Sequence, residues 1–292
     1  MESLRLLMLA LARTMARHHI RGGHRLTSWL RQSGWLDQPA RYVVGRAAFT
    51  VPLKLLAWDR VDVLIYDPAT VAECARSVHR LMKNALFVDC GAHIGTFSSL
   101  MMAECPQISE IVAVEPNPIW WEWTEANLNV FKIKSTLVRG AVADFRGRGE
   151  LKAPAHDASA EALYLSPTPA GEIEVFRIDE LLPDYRGDLI VKLDIEGGEL
   201  AALRGASELL GRARSVVAVI EAHPKVSAVT GIDPIECVRF LQAIRPFDVL
   251  ATPAWVFSAD HPGQRVNPAE PFFSQFDPNV YNLVCTSNVR DT

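Results

Sequence analysis

Val88-Asp89-Cys90-Gly91-Ala92-His93-Ile94-Gly95 is the stretch that decides the reading of this chain. It takes in the end of an apolar run at 85–90 and stops just before a helical stretch at 96–104, so its glycines fall between a strand and a helix. Glycine lets a backbone pass close to a ligand, and a helix start presents unpaired N–H groups. In an open α/β sheet, ligands gather at the carboxyl ends of the strands, where strand order reverses. The turn is therefore the expected floor of a pocket. Such turns also serve packing alone, so the spacing has to discriminate. Gly91 and Gly95 give G-x-x-x-G, with no glycine two residues after Gly91. The dinucleotide fingerprint G-x-G-x-x-G is not met.

The acids around the turn point elsewhere. Asp89 stands just before it, and Glu115 ends the next apolar run, followed by Pro116-Asn117-Pro118. A carboxylate at that strand end can accept both hydroxyls of a ribose. S-adenosylmethionine carries a ribose, an amino acid and a sulfonium but no phosphate, and an acid before the turn suits its ammonium.

Outward from the turn the chain alternates regularly. Strand-like runs at 85–90, 111–115, 135–139, 189–194 and 215–221 alternate with helical stretches at 96–104, 119–130, 199–210 and 234–244. That rhythm predicts an α/β fold, a Rossmann-like parallel sheet with helices on both faces. The segment 151–177 interrupts it with an amphipathic, half-exposed strand that suits one arm of a hairpin. Two last strands are expected at 248–252 and 280–286, joined by a long loop at 253–278. Before the sheet, 1–33 reads as helix that Gly22-Gly23 and Gly34 break or end. Pieces at 42–44 and 61–66 read as β, and 69–82 as helix. The predicted boundary is a mainly helical N-terminal segment and cap over 1–83 and the main domain over 84–292.

VDCGAHIGTFS, VEPNP, EANL at 125–128, KLDIEGGEL and IEAHP, taken in that order, resemble the FkbM family of S-adenosylmethionine-dependent O-methyltransferases. The resemblance covers roughly 87 to 224, and only the ordered set is specific. Cys90 and Gly198 depart from the usual Val and Ala. The family implies a class I methyltransferase sheet of seven strands with an antiparallel last strand, and methylation of a hydroxyl on a sugar, glycolipid or natural product. It implies that Asp89, Gly91, Ala92 and Gly95 hold the amino-acid part of S-adenosylmethionine and Glu115 the ribose, with Asn117, Ala141, Val142 and Asp144 toward the adenine. Ala141 and Val142 read equally well as core.

For the chemistry, Asp194 ends a buried strand, and Glu221 and His223 end the next. Methyl transfer is an in-line displacement in which positioning supplies most of the acceleration and a base helps an alcohol attack. Asp194 is the first candidate for that base, with His223 and Glu221 beside it. Asp194 and Glu221 could instead hold a divalent cation. Glu199 reads mainly as a helix-start acid, and His93 as an exposed loop residue. The alternatives are a nicotinamide-dependent oxidoreductase, which lacks both its glycine spacing and a Tyr-x-x-x-Lys pair, and a non-catalytic cofactor-binding module.

Composition bounds the rest. The chain has 292 residues, 49% hydrophobic and 22% charged, with net charge −4, which calls for no nucleic-acid partner. Residues 1–36 hold six arginines against one acid. Arg13, Arg17, Arg21 and Arg25 recur every fourth residue, and Leu4, Leu7, Met8, Leu11 and Met15 line another face. Such a helix suits either docking on the domain or peripheral contact with an anionic membrane. The apolar run at 4–12 is too short to span one. Five scattered cysteines without metal spacing read as free thiols, and the expected place is the cytoplasm. The expected partner is a small-molecule or glycan acceptor.

Overall fold

A computed structural model describes residues 2–18, 20–36, 38–52, 67–153, 163–254 and 261–287. The chain divides into two compact units, Met1–Tyr66 and Asp67–Thr292.

In the first unit, α1 (Glu2–Arg17) and α2 (Gly23–Gln32) precede a hairpin of β1 (Pro39–Val44) and β2 (Ala47–Pro52). The helix expected over 1–33 breaks at Gly22, whose φ of 92° is left-handed. That break divides the arginine row, because Arg13 and Arg17 belong to α1 while Arg25 belongs to α2. Leu9, Ala12, Leu30 and Leu36 are buried, whereas Leu4, Leu7 and Leu11 are at least half exposed. The expected β piece at 61–66 lies outside the described residues.

The second unit opens with α3 (Pro68–Leu81), β3 (Ala85–Cys90), α4 (Thr96–Glu104), β4 (Ile108–Val114), α5 (Trp121–Leu128) and β5 (Lys134–Val138). Four short strands follow, β6 (Ala141–Val142), β7 (Gly147–Lys152), β8 (Tyr164–Pro167) and β9 (Ile173–Phe176), then α6 (Ile178–Leu181). Next come β10 (Asp188–Leu193), α7 (Glu199–Arg204), α8 (Ser207–Arg212), β11 (Ser215–Ala222), α9 (Pro224–Thr230) and α10 (Ile235–Ile244). The unit closes with β12 (Phe247–Pro253), β13 (Gln264–Arg265), α11 (Phe272–Gln275) and β14 (Tyr281–Ser287).

The main sheet runs β13-β12-β14-β11-β10-β3-β4-β5. Its centre is parallel, and β14 inserts antiparallel between β11 and β12. Every residue of β3 and β10 is buried, as central parallel strands covered on both faces must be. Alternation assigns the faces. Leu86, Val88 and Cys90 pack with Leu203, Leu210 and Val238 of α7, α8 and α10. Phe87 points the other way and meets Phe97 of α4, ring centroids 6.2 Å apart. Asp89 lies two residues beyond Phe87, and Lys192 is its register partner, so both face α4.

The structure departs from expectation at the domain boundary and in the interruption. The helix at 68–81 is not part of a preceding cap: it packs on β11, β12, β14 and α4, so the unit starts at Asp67 rather than at 84. Within 151–177, the half-exposed strand is part of a separate four-stranded sheet, β6-β9-β7-β8.

Candidate active site

Strand order reverses between β3 and β10. The chain moves from β3 to β4 and β5 on one side, and from β10 to β11 on the other. A crevice opens at such a point, beyond the carboxyl ends of the two strands. The glycine turn fills one lip and the segment 194–199 the other. They touch directly: the Asp194 amide donates to the Cys90 carbonyl at 3.2 Å. A Cβ on Gly91 would lie 1.9 Å from the Asp194 carbonyl, and Gly91 has φ 77°. Gly91 is therefore glycine because another strand end packs on it. Its amide and that of Ala92, which is buried, donate to the Val114 carbonyl. Gly95, also left-handed at φ 78°, has no atom nearer than 3.7 Å to a built Cβ.

Asp89 is fully buried. Its Oδ2 accepts from Ser98 Oγ at 2.5 Å, and its Oδ1 accepts no hydrogen bond. Burial pushes its carboxyl up, against Lys192 and Ser98, which lower it. Lys192 stands between two acids, with Nζ 3.0 Å from Asp194 Oδ2 and 3.8 Å from Asp89 Oδ1. The ammonium also sits 5.5 Å from the Phe97 ring centroid. The role of this lysine is not evident from the sequence motifs. One signal was there: a lone cation in the otherwise apolar run Leu189-Ile190-Val191-Lys192-Leu193 has to be paired if the strand is buried.

Glu115 presents a carboxylate already oriented by backbone. Oε2 accepts from the His93 amide and Oε1 from the Asn117 amide, each at 2.7 Å. Burial pushes its carboxyl up to about 7, although both amides pull it down. Asn117 Oδ1 accepts from the Ile119 amide and starts a short 3-10 turn at 118–120. Ala141 and Val142 are buried in β6, paired with Val175 and Phe176 of β9, whereas Asp144 is exposed. His93 is not the exposed loop residue expected. Its ring packs 4.1 Å from that of Trp120, its Nε2 is enclosed without a partner, and burial holds the imidazole down at about 4.

The second acidic group gathers on the other lip. Asp194 and Glu221 lie one step past the register pair Leu193–Ile220 of neighbouring parallel strands, which sets them side by side. Burial and then Asp194 push the Glu221 carboxyl well up. Glu199 Oε1 accepts from the amides of Ile195 and Gly197, both at 3.1 Å. It therefore fixes the loop in which Glu196 and Gly197 are left-handed. Glu199, Glu221 and His223 line a small cavity with Gly197, Val226 and Cys237. His223 is the N-cap of α9, its Nδ1 accepting from the Lys225 amide at 3.1 Å, with Pro224 at the first helical position. That bond occupies the lone pair of the neutral ring, so the expected base role does not suit it.

The alternative of a divalent cation held by Asp194 and Glu221 gains no support. Among the described residues no group of three or more His, Cys, Asp or Glu could hold a metal ion. The Lys192 ammonium lies beside Asp194, with Nζ 3.0 Å from Oδ2.

A sheet of this order, with its antiparallel inserted strand and an acid on each side of the glycine turn, defines a class I methyltransferase. The acceptors fit the ammonium and ribose hydroxyls of S-adenosylmethionine: the buried Asp89 Oδ1 accepts no hydrogen bond, and Glu115 holds two carboxylate oxygens at the end of β4. The chain matches the Methyltransferase FkbM domain over residues 89–242, more than half its length, and it belongs to that family. It is an S-adenosylmethionine-dependent methyltransferase, which sets aside the oxidoreductase and non-catalytic alternatives. No curated protein matches it. Among solved structures it is similar to the precorrin-6y C5,15-methyltransferase of Geobacter metallireducens GS-15, at 14% identity, 75% of this chain, 88% of that one and TM-score 0.40. It is also similar to TYW2 of M. jannaschii in complex with AdoMet, at 12% identity, 86% of this chain, 85% of that one and TM-score 0.38.

Proposed function

We propose that this methyltransferase acts on oxygen, methylating a hydroxyl of a sugar, glycolipid or natural-product acceptor. One observation carries the reading: Asp194 stands at the strand-order reversal, side by side with Glu221 and backed by the Lys192 ammonium. When bound, S-adenosylmethionine supplies an electrophilic methyl whose C–S bond breaks as the acceptor oxygen bonds to carbon, leaving the electron pair on sulfur. Glu115 would hold the ribose hydroxyls, and Asp89 with the glycine turn the amino-acid end. Asp194 would accept the acceptor's hydroxyl proton as the new C–O bond forms. Glu221 would then serve as a protonated neighbour that donates a hydrogen bond to the acceptor.

The reading extends to place and partner. All five cysteines are free and buried, which suits a reducing cytoplasm. Among the described residues no helix is long and apolar enough to cross a membrane. The exposed leucines of α1 and the basic composition of 1–36 support peripheral contact with an anionic surface.

The test is transfer of isotope-labelled methyl from S-adenosylmethionine into sugar, glycolipid and small-metabolite fractions, with the linkage identified by mass spectrometry. An ether-linked methyl that disappears with Asp194→Asn is the expected result, the loss being about 10²–10⁴-fold in turnover. Label found only on nitrogen or in carboxyl esters would sink the oxygen assignment.

A further inference from the structure

We propose that Lys192 is a positioning residue, which holds Asp194 as an ionised and aimed carboxylate at the strand-end crevice. The inference rests on Asp194 as the acceptor-facing group. Its test needs no acceptor.

The strand itself is the first observation. β10 is buried along its whole length, and packing alone would fill position 192 with an aliphatic side chain. The position instead holds a lysine that is 3% exposed, its Nζ reaching the acids at the carboxyl end of the strand. Its placement is asymmetric. At 3.0 Å it donates a hydrogen bond to Asp194 Oδ2, whereas at 3.8 Å it is only an ion-pair partner of Asp89. Asp89 has a donor of its own in Ser98. Beneath the ammonium lies the Phe97 ring, which steadies a cation without taking its proton.

The surroundings of Asp194 show why such a cation is needed. From β3 and the glycine turn come Asp89 and His93. From β11 comes Glu221 and from the start of α7 Glu199, while Glu196 acts on Glu221. His93 is neutral at physiological pH, so it offers no charge. Lys192 acts on Asp89, Glu115 and Glu221 as well as on Asp194. With Lys192 gone, the acids beside Asp194 would no longer be offset by that cation and would favour its protonated form, which accepts no proton from a hydroxyl. With it present, two adjoining carboxyls of the same lip are pushed apart. The Lys192 ammonium favours the charged form of Asp194, while burial and then Asp194 favour the protonated form of Glu221.

The experiment follows the Asp194 carboxyl directly. The full-length protein is labelled with ¹³Cγ-aspartate, the Asp194 signal is identified by its absence in Asp194→Asn, and its shift is followed against pH. In the wild type the midpoint should lie below the ordinary aspartate value of about 3.9. In Lys192→Met it should move up by about 1–3 pH units, the effect expected of losing one adjacent opposite charge. Lys192→Arg should restore it, which a purely structural role of the lysine stem would not predict. An unchanged midpoint in a folded Lys192→Met protein overturns the proposal. Should that variant not fold, the wild-type curve decides alone, since a midpoint at or above 3.9 overturns it equally. Failure of the oxygen assignment would appear instead in the methyl linkage, with the Asp194 titration intact.

Discussion

Glu115 carries its charge at a cost. Its carboxyl sits at about 7, above the ordinary 4.5, so the fold favours the protonated form. As pH rises from the unfolded value toward 7, the folded protein loses stability through this group. Ribose hydroxyls that donate to the carboxylate recover that loss. Affinity for S-adenosylhomocysteine, measured by calorimetry, should therefore fall as pH drops below 7, approaching about tenfold per pH unit. Glu115→Gln should bind more weakly and without that dependence. The two turn glycines make a second contrast at this scale. Gly95→Ala meets only the left-handed penalty, roughly 1–2 kcal/mol. Gly91→Ala adds the overlap with the Asp194 carbonyl and should lose more than about 3 kcal/mol in denaturant unfolding, because neither strand end can retreat. An equal loss for both variants would show that the 1.9 Å approach is relieved by a small shift.

Elements tell a different story about legibility. The central strands could be read because a buried parallel strand is a short apolar run between turns, and β3, β10 and β11 are such runs. The acids at their ends followed from the same runs. The small β6-β9-β7-β8 sheet was harder: the amphipathic β9 shows in the sequence, but β6 has only two residues, and β7 and β8 are short and lack a regular alternation. The helix α9 is hard to read from the sequence because a proline after His223 suits a turn as well as the first position of a helix. Its cap makes a prediction. His223→Asn should preserve the α9 start and the pH profile of methyl transfer, whereas His223→Ala should cost about 1 kcal/mol of stability. A lost acid limb in His223→Asn would return the histidine to the chemistry. In α1, the exposed Leu4, Leu7 and Leu11 bear on membrane contact. Vesicles of phosphatidylcholine and phosphatidylglycerol should sediment the full-length protein at low salt, and Leu4, Leu7 and Leu11→Ser together should release it. No sedimentation at low salt would confine α1 to a structural role.

For the whole molecule, the division at Asp67 matters more than any single contact. Residues 67–292 contain the sheet, the helices on both its faces and every group placed in the crevice. A protein beginning at Asp67 should fold cooperatively and bind S-adenosylhomocysteine with near full-length affinity. One beginning at 84, the boundary expected from the sequence, should not. It lacks α3, including the hydroxyls of Thr70 and Ser77, which bond to Thr252 of β12 and Thr286 of β14. Equal melting behaviour of the two truncations would return the helix to the preceding segment.

The inserted strand β14 also bears on how the protein is made. Residues 281–287 close the sheet between β11 and β12, strands completed some thirty to sixty residues earlier in translation. Until they leave the ribosome, β11 and β12 each present an unpaired edge facing an empty place, and an open edge is a template for another chain. A transcript interrupted before codon 281 would therefore yield a sticky, half-closed sheet instead of a smaller enzyme. Chaperone demand should fall sharply once that last strand is free.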